Sequence, residues 1–397
     1  MLASMTNAPR DYDWGSTTLI AALQGRAPSG RPEAEVWFGD HPGCPAHVAD
    51  GRTLGQWLAH EGAGTGTPER LPYLMKLLAA ASSLSIQAHP SRAQAIEAFA
   101  REETEGIPRD APERTYRDEN HKPELIVAVS ETFTALAGIR DLHDTRRLLS
   151  LLGAGGQVLA ARLSGADAAA AVRDTIEWLL AGEAAGVIAQ IVAAAAEAES
   201  VEFAAELDLI RRLAVDFPGD RGIGVALLMN LVVLRRGEGL FVPAGVLHAY
   251  QSGLGVEIMA ASDNVLRGGL TPKHVDVGEL VKVLDPTPGP VAVLRPAPLD
   301  GVSRFAPDVP DFALTHVVAA PGQEHLLDLD GVAIVLGTVG EVTAGGERSG
   351  TGVALAPGEA VLVTPDEERL RISGAGEVFV AQPGSASAAV SAAASTS

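Results

Sequence analysis

The stretch that decides the fold runs Gly237-Glu238-Gly239-Leu240-Phe241-Val242-Pro243-Ala244-Gly245-Val246-Leu247-His248. Its form is G-x5-P-x-G-x2-H. Gly239–Val242 reads as a short strand, and Pro243 ends it because a proline has no N–H to give to a ladder. Gly237 and Gly245 serve turns, where a left-handed backbone costs a glycine little. The second turn delivers His248 at the start of the next strand, pointing into a barrel.

A lone histidine at a strand start is more often a core or surface polar residue than a ligand. Its companions change the reading. The spacing resembles the second conserved motif of the cupin superfamily, whose first motif supplies two inward ligands at alternate positions and then a glutamate. Ser85-Ile86-Gln87-Ala88-His89 offers Gln87 and His89. Residues i and i+2 of a strand share one face, so both reach one ion. Glu124 follows in Asn120-His121-Lys122-Pro123-Glu124. Taken singly, Gln87 reads equally well as an outward strand residue and Glu124 as a solvated carboxylate. Together with His248 they form a set of two nitrogens and two oxygens. Such a set suits zinc with an open position for solvent or substrate, and leaves iron and manganese compatible.

The chain around these motifs falls into blocks. Residues 1–139 read as strands and turns with one helix. Tyr73–Leu78 and Leu84–His89 are expected strands, Arg92–Glu103 a helix opened by Pro90-Ser91, Glu105–Asp118 a polar loop, and Leu125–Val129 a strand. Residues 140–217 change to helical periodicity: Val172, Ile176, Leu179 and Leu180, then Phe203, Leu207, Ile210 and Ala214. Val187–Glu199 is Ala-rich and helical as well. Pro218-Gly219-Asp220 stops this insertion. Residues 218–285 return to strands at Gly224–Leu234, Gly239–Val242, His248–Gln251 and Val256–Met259, closed by a helix at Val277–Leu284. Residues 286–384 hold further β-like runs at Ala333–Leu336, Val353–Leu355, Ala360–Val363 and Val378–Ala381. No histidine or cysteine follows His325, so no metal site is expected there. Residues 385–397 are Ala/Ser-rich and read as a disordered tail. The expected architecture is mainly β with an α insertion: a jelly-roll catalytic domain, the insertion, and a smaller cupin-like C-terminal domain.

Composition agrees with this. The 397 residues include 43 Gly and 25 Pro, as a turn-rich β protein requires. The single cysteine, Cys44, excludes an intrachain disulfide and a cysteine metal site. That usage, with no secretory signal and no apolar run of membrane-spanning length, leads to the expectation of a cytoplasmic protein. The net charge of −20 opposes nucleic acid and anionic membranes as partners. An anionic substrate therefore needs a locally basic site. Lys76, Lys122, Arg267 and Lys273 all stand in or beside the motif segments.

Five blocks, in order, resemble the type I mannose-6-phosphate isomerase family: Tyr12-Asp13-Trp14-Gly15, Ala34–Gly39, Leu84–Pro90, Asn120–Glu124, and His248–Lys273, the last including Asp263-Asn264-Val265-Leu266-Arg267. The resemblance implies interconversion of mannose 6-phosphate and fructose 6-phosphate. It implies one zinc per chain held by Gln87, His89, Glu124 and His248, and it places the family's catalytic arginine at Arg267. A monomer is expected. The helical insertion and the C-terminal domain are expected to stay clear of the chemistry.

Moving a carbonyl between neighbouring carbons requires a base, and a positive charge against the enediolate oxygen. Arg267 supplies a permanent planar charge, suited to an enediolate or a phosphate. Glu257 is the leading proton carrier, on the strand after the His248 turn, with Asp263, His121 and Lys122 as the other candidates. Ser85, Lys76, Lys122 and Lys273 are the phosphate candidates, against the plain reading of Lys76 and Lys273 as solvated charges. Trp14, Trp37 and Tyr250 are candidate walls, although buried aromatics are more often core. The remaining histidines, including His41, read as surface or structural. Two rivals stand beside the isomerase. A non-catalytic bicupin sensing sugar phosphates is opposed by the acid–base set. An iron-dependent cupin oxygenase is opposed by Gln87 in a site that such enzymes fill with histidines.

Overall fold

The computed structural model describes residues 1–384, and the tail expected at 385–397 lies outside the described residues. Its spine is the strand His248–Ala260. The first part of this strand pairs antiparallel with Gln87–Ala88 on one side and Thr132–Ile139 on the other. Leu266–Arg267 lies beyond the former and Met229–Arg235 beyond the latter. The second part joins a different set of partners. Gly253–Ala260 pairs with Tyr73–Ala80, which pairs with Glu35–Phe38. Its other edge takes Glu124–Ala128, then Gly239–Val242 and Val293–Leu294.

The crossing point is Gly253, at φ +118°, next to a register shift between Tyr250 and Ser252. A Cβ there would stand 2.8 Å from the Thr132 carbonyl oxygen and 2.9 Å from the Phe133 Cα. Both are backbone atoms, so neither moves cheaply. Gly253→Ala is expected to destabilise the fold by about 2–5 kcal/mol, from strain at positive φ plus overpacking, read as a lowered denaturant midpoint at unchanged m. This glycine also explains why His248–Gln251 and Val256–Met259, two strands by sequence, are one.

Alternation sets the layers. Tyr73–Ala80 is buried throughout because both of its faces are covered. Leu78 and Ala80 pack with Ile126, Phe133 and Tyr250 on one face. Met75, Leu77 and Ala79 face the other way, into a core shared with Leu336, Leu362, Phe379 and Ala381 of the C-terminal sheet. That sheet has nine antiparallel strands and contains Ala333–Gly346, Ala360–Val363 and Arg369–Gln382.

The strand Leu2–Thr6 belongs to this C-terminal sheet rather than to the block 1–139 in which the sequence places it. It pairs with Ala360–Val363, Leu2 opposite Val363 and Met5 opposite Ala360. Ala3 and Met5 then fill the core between the sheets. Nothing in five residues announces so distant a partner.

The insertion is helical, as its period predicts. Asp141 caps Leu142–Ser150 and Asp167 caps Ala168–Ala181. Its apolar stripes join Ile86, Leu136, Leu247 and Leu266 in one core, which backs the sheet carrying Gln87 and Arg267. The expected strand Gly224–Leu234 divides into a helical turn, Gly222–Ala226, and a strand from Met229. The run Val225–Leu228 is apolar on every side, and periodicity does not decide such a segment. Gly224 in this turn packs closely on the insertion: a Cβ there would lie 2.6 Å from Leu179 Cδ2. Leu84–His89 is mostly irregular, with ladder pairing only at Gln87–Ala88. Among the described residues no single helix is long and apolar enough to cross a membrane.

Candidate active site

The two halves of the spine strand face one cavity of about 560 Å³. Register brings its polar residues into rows. His248 lies opposite Gln87, and Gln87 opposite Arg267. Directly opposed residues share a face, so these three side chains form one line across three strands. In the second half Glu257 lies opposite Lys76, and Lys76 opposite Trp37.

Glu124 and His248 line the cavity, and the fully buried His89 meets them behind its wall. Their candidate ligand atoms all lie within 4.8 Å of one another. His89 Nε2 is 3.0 Å from Glu124 Oε1, and His248 Nε2 is 3.2 Å from Oε2. Each imidazole is held from behind: His89 Nδ1 is 2.8 Å from the Asn264 carbonyl oxygen and His248 Nδ1 3.2 Å from that of Val246. This contact places the proton on Nδ1 and leaves Nε2 with a lone pair towards Glu124. Burial, with the Lys122 cation adding to it, pushes the His89 pKa down to about 4, so the ring is neutral at physiological pH. His89 Nε2 is buried without a hydrogen-bond partner. A buried unpaired lone pair beside a second imidazole and a carboxylate is a donor set that fits zinc. Gln87 lies opposite His248 in register and lines the same cavity, and its Nε2 donates to Ser85 Oγ at 3.1 Å.

Around this cluster the charges are paired and buried. Lys122 Nζ is 3.0 Å from Glu124 Oε1, and the Tyr250 hydroxyl donates to Oε2 at 3.3 Å. Burial works to raise the Glu124 pKa, but Lys122 and the two imidazoles outweigh it and hold the carboxyl well below the usual range. Lys76 Nζ sits 3.0 Å from Glu257 and 3.4 Å from Glu35. Burial pushes the Glu257 carboxyl up, and Lys76 only partly offsets this. Burial likewise opposes the Lys76 charge, yet Glu257 and Glu35 outweigh it and raise the ammonium's pKa.

Arg267 and Lys273 differ in having no carboxylate against them among the described residues. Arg267 has its pKa lowered by burial and then by Arg117; that of Lys273 is lowered by burial, then by Arg267 and Arg117. Ser85, Trp14 and Tyr250 also line the cavity. His121 and Asp263 do not. His121 Nε2 turns to Asp311, at 2.7 Å, and Asp263 lies 3.0 Å from His41 Nε2.

Three contributors escaped the sequence reading. Glu35 was visible, since Glu35 and Trp37 alternate on one strand and Trp37 Nε1 donates to Glu35 at 2.8 Å. Asp216 and Phe217, at the end of the helix Ala204–Asp216, wall the cavity from the insertion expected to stay clear of it. No local pattern marks them.

Comparison with known proteins shows the family. The mannose-6-phosphate isomerase of Salmonella typhimurium is 34% identical over 95% of this chain and 98% of its own length. The chain belongs to the type I phosphomannose isomerase family. The family model for the type I phosphomannose isomerase catalytic domain matches residues 2–142. The human mannose-6-phosphate isomerase is 30% identical over 91% of this chain and 92% of its own. A solved structure of the Salmonella mannose-6-phosphate isomerase, bound to fructose 6-phosphate and zinc, superposes with a TM-score of 0.87 at 32% identity, covering 97% of this chain and 100% of that one. The helical insertion and the C-terminal sheet are thus common to this chain and that phosphomannose isomerase.

Proposed function

We propose that the chain is a zinc-dependent mannose-6-phosphate isomerase, interconverting D-mannose 6-phosphate and D-fructose 6-phosphate in the cytoplasm. The observation that carries this is the division of one cavity into two ends. One end holds the metal-competent His89–Glu124–His248 cluster and the buried Lys76–Glu257 pair. The other holds Lys273 without a carboxylate partner, and Arg267, opposite Gln87 in register and within electrostatic reach of Lys273, stands between the two. A sugar phosphate has the same polarity, with a carbonyl at one end and a dianion at the other.

Gln87, His89, Glu124 and His248 would hold the zinc, which when bound polarises the sugar's oxygens as a Lewis acid. Glu257 takes the proton from carbon and returns it to the neighbouring carbon. Its raised pKa brings it nearer the operating pH, as a general base requires. Lys76, fixed 3.0 Å from it, keeps a positive charge beside the group whose charge changes. Arg267, two strand spacings or about 10 Å from His248 along the row, places a permanent charge for the enediolate oxygen. Lys273 and Ser85 bind the phosphate, while Trp14 and Tyr250 shape the walls. Lys122 holds Glu124 in its ionised form. We take the catalytic domain as a cupin jelly roll made of 1–139 and 218–285, less its first strand, with 140–217 as insertion, 286–384 as a cupin-like C-terminal domain, and a monomer as the working unit.

A sugar-phosphate sensor would keep the ligands, but it gives no reason to bury Lys76 against Glu257. A coupled assay for fructose 6-phosphate formation, with and without chelator, tests the reading. Turnover that disappears on chelation and returns with zinc rather than iron is expected. Turnover indifferent to chelation, or no turnover of the zinc-loaded protein, would reject it.

A further inference from the structure

Leu270, Thr271, Pro272 and Lys273 follow one another along the wall of the cavity. The start of this wall is tied to the residue before Gln87: the Gly268 amide donates to the Ile86 carbonyl oxygen at 2.8 Å, and the Gly269 carbonyl accepts from the Ile86 amide at 3.0 Å. Beyond that point a single side chain takes over. The Leu270 amide donates to Asp220 Oδ1 at 2.9 Å and the Thr271 amide to Oδ2 at 3.1 Å. Pro272 has no amide hydrogen, and the Lys273 amide turns back to Thr271 Oγ1 at 3.1 Å. Among the described residues no other hydrogen bond ties 270–273 to the rest of the chain.

The backbone here needs such support. Leu270 stands at φ +54°, in the left-handed region that a residue with a side chain rarely occupies. That conformation persists where its surroundings over-determine it. The Leu270 side chain is 2% exposed and sits in the core of the helical insertion. Gly269, at φ +110°, lies directly on Gly222: a Cβ on Gly269 would stand 2.4 Å from the Gly222 Cα, and one on Gly222 2.6 Å from the Leu270 nitrogen. Asp220 spans this contact, since its Oδ1 also accepts from the Gly222 amide at 2.7 Å. Packing does not hold the wall by itself. A second cavity, of about 220 Å³, borders Gly269 and Thr271 as well, together with Asp220 and Arg221. Asp220 further closes the turn through which the insertion reaches the site. Its amide donates to the Phe217 carbonyl oxygen at 3.0 Å, and Asp216 and Phe217 line the main cavity. One residue thus joins the wall supplied by the insertion to the wall that carries Lys273.

We propose that Asp220 is a positioning residue for substrate binding, fixing Leu270 and Thr271 so that Lys273 is presented to the phosphate. This rests on the sugar-phosphate reading and deepens it. Asp220 does not itself line the cavity, so it acts only through the segment it holds. A carboxylate suits the task because both of its oxygens accept, and hydrogen bonds to a charged acceptor are the stronger kind. An amide in its place has one acceptor and would set an NH2 group against a backbone N–H. A wall formed only part of the time weakens binding by that fraction, while the metal cluster and Glu257 at the other end keep their geometry.

The test compares wild type with Asp220→Asn and Asp220→Ala in the full zinc-loaded protein. Inorganic phosphate is titrated against tryptophan fluorescence, which Trp14 in the cavity wall reports. Phosphate affinity is expected to fall about tenfold in D220N and further in D220A. The KM for mannose 6-phosphate should rise by a similar factor at kcat within about threefold, with zinc affinity unchanged. Amide exchange should quicken over 269–273 and stay as in wild type around His89 and Glu124. Unchanged phosphate affinity in D220N, whatever its stability, or a fall in kcat without a rise in KM, overturns the proposal and leaves Asp220 serving the fold alone. The phosphate titration needs no turnover, so an inactive wild type would count against the isomerase reading and leave the Asp220 result standing. If D220A misfolds, D220N, which keeps the side chain's size and one acceptor, carries the same comparison.

Discussion

Glu257→Gln is expected to lower kcat by about 10²–10⁴-fold while the protein keeps its zinc and its affinity for sugar phosphate. The amide fills the same buried space, 2% exposed. It can still meet Lys76 with its oxygen, but it cannot take up a proton. Because the wild-type carboxyl has its pKa raised by burial, the wild-type rate should have an acid limb above the ordinary glutamate range. Below that limb Glu257 carries a proton and cannot act as base; above it the group is ionised and the rate levels off. The variant should lose this limb along with the rate. Steady-state kinetics across pH, with zinc measured on the same samples, checks both. Full activity in E257Q would remove Glu257 as proton carrier and shift the role to Lys76 or Lys122.

Removing the shared acceptor of the metal cluster is expected to have the other large effect. Glu124 is 4% exposed and is approached by His89, His248, Lys122 and Tyr250. Glu124→Gln abolishes the only negative charge in that set. Zinc affinity should fall by more than about a hundredfold, since loss of a mere outer partner of a ligand already costs 10–100-fold. Chelator competition measures this without reference to activity. The rate should fall to that of the metal-free protein. Stability should fall as well, because the Lys122 ammonium, 10% exposed, loses its carboxylate. Stranding a buried charge in this way costs about 3–5 kcal/mol. A variant that binds zinc as tightly as wild type would move the metal away from Glu124.

Sequence made the metal cluster legible for a physical reason. His248 follows a Pro/Gly-marked turn, and His89 and Glu124 stand in blocks that carry the family resemblance, whereas the strand expected over Leu84–His89 is paired only at Gln87–Ala88. The helical insertion was legible through its period, and Gly239–Val242 and Ala360–Val363 through their bounding turns. What was hidden depends on distance along the chain. His121 and Asp263 lie in blocks rich in functional residues, yet their partners, Asp311 and His41, come from segments with no motif. Asp216 and Phe217 reach the cavity only because the helix before them docks on the sheet.

The pairing of Leu2–Thr6 with Ala360–Val363 has a consequence for biosynthesis. The strand Leu2–Thr6 must wait, unpaired on that edge, until Ala360–Val363 has left the ribosome. A pairing so far apart along the chain is of the kind that forms slowly. Until then the sheet edge at Ala360–Val363 stays open, and nascent chains with that edge bare are the species most prone to clump.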